Sequence, residues 1–177
     1  MDLGRRIMVM GSSGSGKSTM AVKLGELLNL PVVHQDKIYW LPGWQAASND
    51  DIVQKVKAAA DQDEWVIDGN NRKTRDYKLE RADTIVFLDF NRFTCLFRVL
   101  KRHIRWLGKS RPDITEGCPA KLDIEIFTLI LWSYPNRKRG DAIEWLAKTR
   151  PPKQVYHLKG NKAVKRFLIE VHASVKE

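Results

Sequence analysis

GSSGSGKS at residues 11–18 sets Gly11, Gly16, Lys17 and Ser18 in the spacing GxxxxGK(S/T), the pattern of a loop that cradles phosphate. Its surroundings meet the demands of such a loop. RRIMVM at 5–10 reads as a short apolar strand entering it, and a helix is expected over 17–28 on leaving it. Glycine at 11, 14 and 16 lets the backbone curl with its amides pointing inward, and Ser12, Ser13, Ser15 and Thr19 complete the cradle. The helix N-terminus adds partial positive charge. Lys17 is expected to reach the β and γ phosphates of a nucleoside triphosphate, and Ser18 to offer its hydroxyl to Mg²⁺. The rival reading is a flexible glycine linker before an unrelated helix; the flanking strand and helix weigh against it.

Outward from the loop, strands and helices alternate. VVHQ at 32–35 is expected to form a second strand ending at Asp36, and the Trp-, Pro- and Gly-rich stretch 37–49 a flap on the acceptor side. Ser48 with Asp51 makes a capping box for a helix whose apolar face holds Ile52, Val56, Ala59 and Ala60. WVID at 65–68 is a third strand, turned by Gly69. TIVFLDF at 84–90 is apolar enough to be covered on both faces, as in a parallel sheet. Asn91 can cap a helix over 92–107, and a short lid insertion follows at 108–120. Helices are expected over 121–133 and 138–149, a last strand over 154–158 and a terminal helix over 163–175. The pattern is a three-layer α/β domain with a mostly parallel five-stranded sheet. It occupies 1–177 as one domain, without internal repeats or a linker.

Composition narrows the class. The chain has 177 residues, ordinary hydrophobicity and two cysteines, which excludes intrinsic disorder, a collagen-like structure and a disulfide-rich module. No apolar run approaches a membrane span, and no signal peptide precedes the loop, so a soluble cytoplasmic protein is expected. With 31 Lys/Arg against 21 Asp/Glu, the net charge is +10. That charge suits nucleic acid or small anions such as nucleotides. Most of it lies in the second half, in the runs 91–112 and 137–166.

Three carboxylates follow strands: Asp36, Asp68 and Asp89. Ligands of open α/β sheets bind at that edge. Asp68 is the first choice to join Ser18 in holding the metal, and Asp36 to orient the acceptor; each could instead cap a helix or pair with an arginine, most readily Asp89. Arg98, Arg102, Arg105 and Lys109 are spaced 4, 3 and 4, one helical stripe leading to Arg111 in the lid. Such a stripe can close over polyphosphate and exclude water. It can equally be a solvated face or a DNA-binding helix. Of the cluster 137–139, Arg137 is the candidate to fold back towards the transferring phosphate. His34, Gly69 and Asn70 lie beside the carboxylates, and Arg72 and Arg75 are candidates to hold an anionic acceptor. Trp44 can stack on a base or, more blandly, pack the flap down.

With these residues in hand, the chain resembles the adenylate-kinase-like P-loop proteins, and within them the bacterial DNA topology modulation protein family. The marks run in order: GSSGSGKST at 11–19, HQD at 34–36, LPGW at 41–44, IDGN at 67–70, ADTIVFLDF at 82–90, CLFRVLKR at 95–102 and GKSRPDITEGCPAKLD at 108–123. The resemblance implies a P-loop NTPase fold with strand order 2-3-1-4-5, an ATP site and an arginine-bearing lid. It implies that Lys17 and Ser18 are the P-loop lysine and magnesium ligand, Asp68 the aspartate after the third strand, and Arg102 the arginine at the base of the lid. Asn161 falls where such kinases place backbone around adenine. The stretch between Lys37 and Trp65 is too short for an acceptor region of the adenylate kinase type. The leading expectation is a Mg-ATP-dependent kinase acting on a small, anionic, nucleotide-like acceptor, as a monomer or dimer. The alternatives are an ATP-binding, nucleic-acid-associated protein affecting DNA topology, and a regulatory NTPase.

Overall fold

The computed structural model describes residues 1–120, 124–147 and 153–175, and for Arg137 and Lys138 the backbone alone. The main sheet contains β1 (Arg6–Gly11), β2 (Val32–His34), β3 (Trp65–Asp68), β4 (Thr84–Asp89) and β5 (Gln154–Lys159). All pairings are parallel and the order is β2-β3-β1-β4-β5, the expected 2-3-1-4-5. β4 is buried at every position, as its apolar run requires when helices cover both faces.

Successive residues of β1 face opposite layers. Ile7 and Val9 join Met20 and Leu24 of α1 (Lys17–Leu28), Cys95 and Val99 of α5 (Arg92–Arg105) and Phe167 of α8 (Gly160–Val175) in one core. Met8 and Met10 join Trp65, Ile67 and Phe87 in the other, closed by Ala60 of α3 (Asn49–Ala60) and Leu146 of α7 (Arg139–Ala147). Ser48 caps α3 as expected, its hydroxyl accepting from the Asp51 amide at 3.1 Å. The same hydroxyl donates to the Asp51 carboxylate at 2.8 Å, where a full capping box has that carboxylate accept from the Ser48 amide.

The local structure departs from expectation in four places. β2 ends at His34, and Gln35 opens the short helix α2 (Gln35–Tyr39), so Asp36 sits in a helical first turn, where a negative charge is favoured. A helix α4 (Arg72–Arg81), capped by Asn71, fills a stretch for which no element was expected. The helices expected over 121–133 and 138–149 are one continuous run from Ile124 to Ala147, which opens as α6 (Ile124–Thr128), is π-helical over Leu129–Lys138 around Pro135 and closes as α7. Proline lacks the amide hydrogen and crowds the carbonyl four residues back; a wider π turn accommodates both. Residues 121–123 and 148–149 of those expected helices lie outside the described residues. Lastly, α5 stops at Arg105, leaving Lys109 beyond the helical stripe.

The flap and the lid touch. In the flap, two-residue strands at Trp40–Leu41 and Gln45–Ala46 pair around a tight turn at Pro42–Trp44. The Gly43 amide donates to the Gly117 carbonyl at 2.9 Å, and the Trp44 indole to the Pro119 carbonyl at 2.9 Å. From the lid, Thr115 donates to the Lys37 carbonyl at 3.0 Å, and the Cys118 thiol to that of Leu41 at 3.2 Å. Among the described residues, no helix is long and apolar enough to cross a membrane.

Candidate active site

β1 delivers the chain into the 11–18 loop at the carboxyl edge of the sheet. Gly14 (φ +78°) lies so close to α5 that a Cβ there would meet the Cys95 carbonyl oxygen at 2.3 Å, and Gly16 (φ +95°) caps α1 in the left-handed region. Both need glycine. α1 has no side-chain cap and no acid in its first turn, so its amide end is open to an anion. The Lys17 ammonium bends back to the Ser12 carbonyl at 3.0 Å. Burial lowers its pKa, while Asp36 and Asp68 pull the other way. Among the described residues, the buried hydroxyls of Ser12 and Ser15 have no hydrogen-bond partner. A cradle of left-handed glycines, an uncapped helix end and a lysine beside them fit a triphosphate.

Parallel register sets His34 of β2 opposite Asp68 of β3, and their side chains meet at 3.2 Å. Burial pushes the Asp68 carboxyl up, but hydrogen bonds from His34 and Ser18 and the charges of His34 and Lys17 hold it below its ordinary value. The same hydrogen bond raises the His34 pKa. The contact of Ser18 with Asp68 joins a hydroxyl to a carboxylate, a donor pair suited to Mg²⁺. Asp36 lines the cavity walled by the loop and the lid with part of its surface open to solvent, and desolvation of its carboxyl there raises its pKa against the pull of Lys17. From the lid side, burial and the neighbouring Arg111 lower the Arg102 pKa to about 10.

These groups line a cavity of about 1060 Å³. Ser13, Gly14, Ser15, Gly16, Lys17, Ser18 and Thr19 form one wall. His34 and Asp36 also line the cavity, as do Arg102, Arg105, Arg111 and Asn161. Gly11, Ser12 and Asp68 do not line it. Arg98 also faces the cavity, but its guanidinium donates to the Ser15 carbonyl at 2.9 Å and to the Asn161 side chain. It braces the loop against α8 and has fewer donors left for phosphate than the stripe implied.

Other candidates are elsewhere. Asn70 bonds the backbone of Gly11 through both ends of its carboxamide. Gly69 is packed against Gln35, whose Oε1 a Cβ would approach to 2.4 Å. Arg72 pairs with Asp141, and Arg75 lies over the Trp145 ring at 4.6 Å. Trp44 packs the flap on the lid. None of these five lines the cavity: each finds its partner in a distant stretch of the chain, a pairing that sequence spacing does not reveal. The Arg137 side chain is outside the described residues. Its neighbour Arg139 grips Asp89 through two bonds of 2.7 Å, with His157 adding a third at 2.8 Å, so Asp89 takes the ion-pair role. Two groups were missed. Asp113, two positions after Arg111 and paired with it at 3.1 Å, was signalled by the RPD turn; Lys78, buried in α4, had no signal.

No family model and no curated protein sequence matches the chain. Solved structures match it in fold. A gluconokinase from Sinorhizobium meliloti 1021 aligns with 99% of this chain and 94% of its own at 19% identity and a TM-score of 0.56. A shikimate kinase from Bacteroides thetaiotaomicron aligns over 98% and 99% at 16% identity and a TM-score of 0.55. A third, the shikimate kinase from Acinetobacter baumannii in complex with shikimate, aligns over 98% and 95% at 14% identity and a TM-score of 0.56. The chain thus has a three-layer α/β fold with a five-stranded parallel sheet, the fold of these small-molecule P-loop kinases.

Proposed function

We propose that the protein is a Mg-ATP-dependent phosphotransferase acting on a hydroxyl of a small acceptor. The observation that carries this is convergence. The phosphate loop, Asp36 and the arginines of α5 and the lid face one cavity, with the Ser18–Asp68 pair at its edge. Lys17 would hold the β and γ phosphates, Ser18 and Asp68 would hold Mg²⁺, and the backbone at Asn161 would lie beside the base. The metal supplies charge neutralisation on the phosphate oxygens when bound. Asp36 accepts the proton of the acceptor hydroxyl as its oxygen bonds to the γ-phosphorus and the bond to ADP breaks. Arg102 and Arg111 balance charge on the transferred group, and lid and flap keep water out.

The acceptor is a small hydroxyl compound, with nucleosides and nucleotides as first candidates. Arg72 and Arg75, the cations proposed to hold an anionic acceptor, have partners outside the cavity. The named substrates of the structural neighbours bring sugar acids and shikimate onto the same panel. The ordered motifs of the DNA topology modulation family support the ATP site and lid. The nucleic-acid reading loses ground because Arg98, Arg102, Arg105 and Arg111 face the cavity. The test is ADP formation from Mg-ATP across nucleosides, nucleotides, sugars and sugar acids, with Lys17→Ala and an acceptor-free reaction alongside. One acceptor should accelerate turnover about tenfold or more, and the variant should lose this gain. Flat rates across the panel despite tight ATP binding would sink the kinase reading.

A further inference from the structure

Lys78 of α4 is 0% exposed. Its ammonium donates to the Gln35 side-chain oxygen at 2.9 Å and to the Gly69 carbonyl at 3.0 Å, both neutral groups. Burial lowers its pKa to about 7, with the Asp68 charge opposing. Burying such a group is costly. An apolar chain of similar length would fill the same space without that cost, so what the amine adds is its grip on those two oxygens.

Their places in the chain give the grip its meaning. Gln35 precedes Asp36, and Gly69 follows Asp68. Gln35 is held from its other end too, its amide donating to the Thr74 hydroxyl at 2.8 Å. Gly69, at φ +123°, has no side chain to keep the two turns apart. Lys78 thus lies beneath the junction of two turns that belong to different strands, and each turn carries one of the site carboxylates.

We propose that Lys78 is a positioning residue, a buried clamp that locks the Asp36 turn to the Asp68 turn and so sets the spacing of the two carboxylates. The clamp rests on the functional reading above for its catalytic consequence, but its structural part can be measured without turnover. A misplacement of about 1 Å in such a site costs rate out of proportion to binding. The P-loop is carried by β1 and α1, so ATP affinity changes less than the rate.

The test uses the full-length protein with Lys78→Met, and Gln35→Leu as a second break in the same junction should the first fail to fold. Amide hydrogen exchange is followed over 34–37 and 68–71, with α1 and β4 as internal references. Both turns should lose protection together, by about tenfold or more, while the references keep theirs. With the best acceptor, kcat should fall about tenfold or more and KM for ATP stay within about twofold. Unchanged exchange in both turns would overturn the clamp, as would an equal rise throughout the sheet, since that is the behaviour of a core-packing residue. A folded variant with wild-type kcat would overturn its catalytic consequence. If the wild-type protein transfers phosphate to nothing on the panel, the functional reading falls, and the exchange data still decide whether the two turns are clamped.

Discussion

Asp36 opens on the cavity from the first turn of α2, and desolvation raises its carboxyl pKa although Lys17 opposes the shift. A carboxyl with a raised folded pKa binds more protons folded than unfolded. Stability therefore falls as pH rises from the unfolded value, about 3.9, through the raised folded one. Asp36→Asn should be more stable than the wild type at pH 7, seen as a higher melting temperature. The same change should cut kcat about 100-fold with the best acceptor, since the proton loses its destination. The acid limb of kcat/KM, which follows this carboxyl, should lie above the ordinary carboxylate range and vanish in the variant. At this scale, legibility followed locality. That Lys17, Ser18 and Asp36 share one cavity was readable, because each lies in the loop or turn that follows a strand at the same sheet edge. The places of Asn70, Arg72 and Arg75 were not, because Gly11, Asp141 and Trp145 draw them away from the cavity.

Capping chemistry made some elements legible. Ser48 and Asp51 announce the start of α3, and the expected bond from the Asp51 amide to the Ser48 hydroxyl is present. Ser48→Ala should cost about 1 kcal/mol, lowering the melting temperature by about 2–4 °C for a chain of this size. α4 stayed hidden because RKTRDYKLER shows no apolar periodicity. Its inward positions are Thr74 and Lys78, buried polar side chains satisfied by hydrogen bonds. Pro135 misled in the other direction, since a proline within a helical pattern usually marks a boundary. Here the π-helical stretch carries the chain through it, and Arg139 at its end reaches Asp89.

At the scale of the molecule, the parallel sheet and its layers were legible because β4 and the strand–loop–helix unit at 5–28 each allow few arrangements, whereas the strand order came only with the family resemblance. The joining of flap and lid was not, since backbone carbonyls from one meet side chains of the other across a gap of some seventy residues. Removing Thr115 and Trp44 as donors, by Thr115→Val with Trp44→Phe, should loosen that roof. With the best acceptor, more of the ATP consumed should then end as free phosphate, about threefold or more over the wild type, measured as phosphate released per acceptor phosphorylated. The bonds between flap and lid have a thermodynamic consequence too. A ligand that draws the lid down over the phosphates brings the flap with it, so ATP and the acceptor become each other's effectors. Linkage requires the factor to be the same in both directions: whatever ATP does to the affinity for the acceptor, the acceptor does to the affinity for ATP.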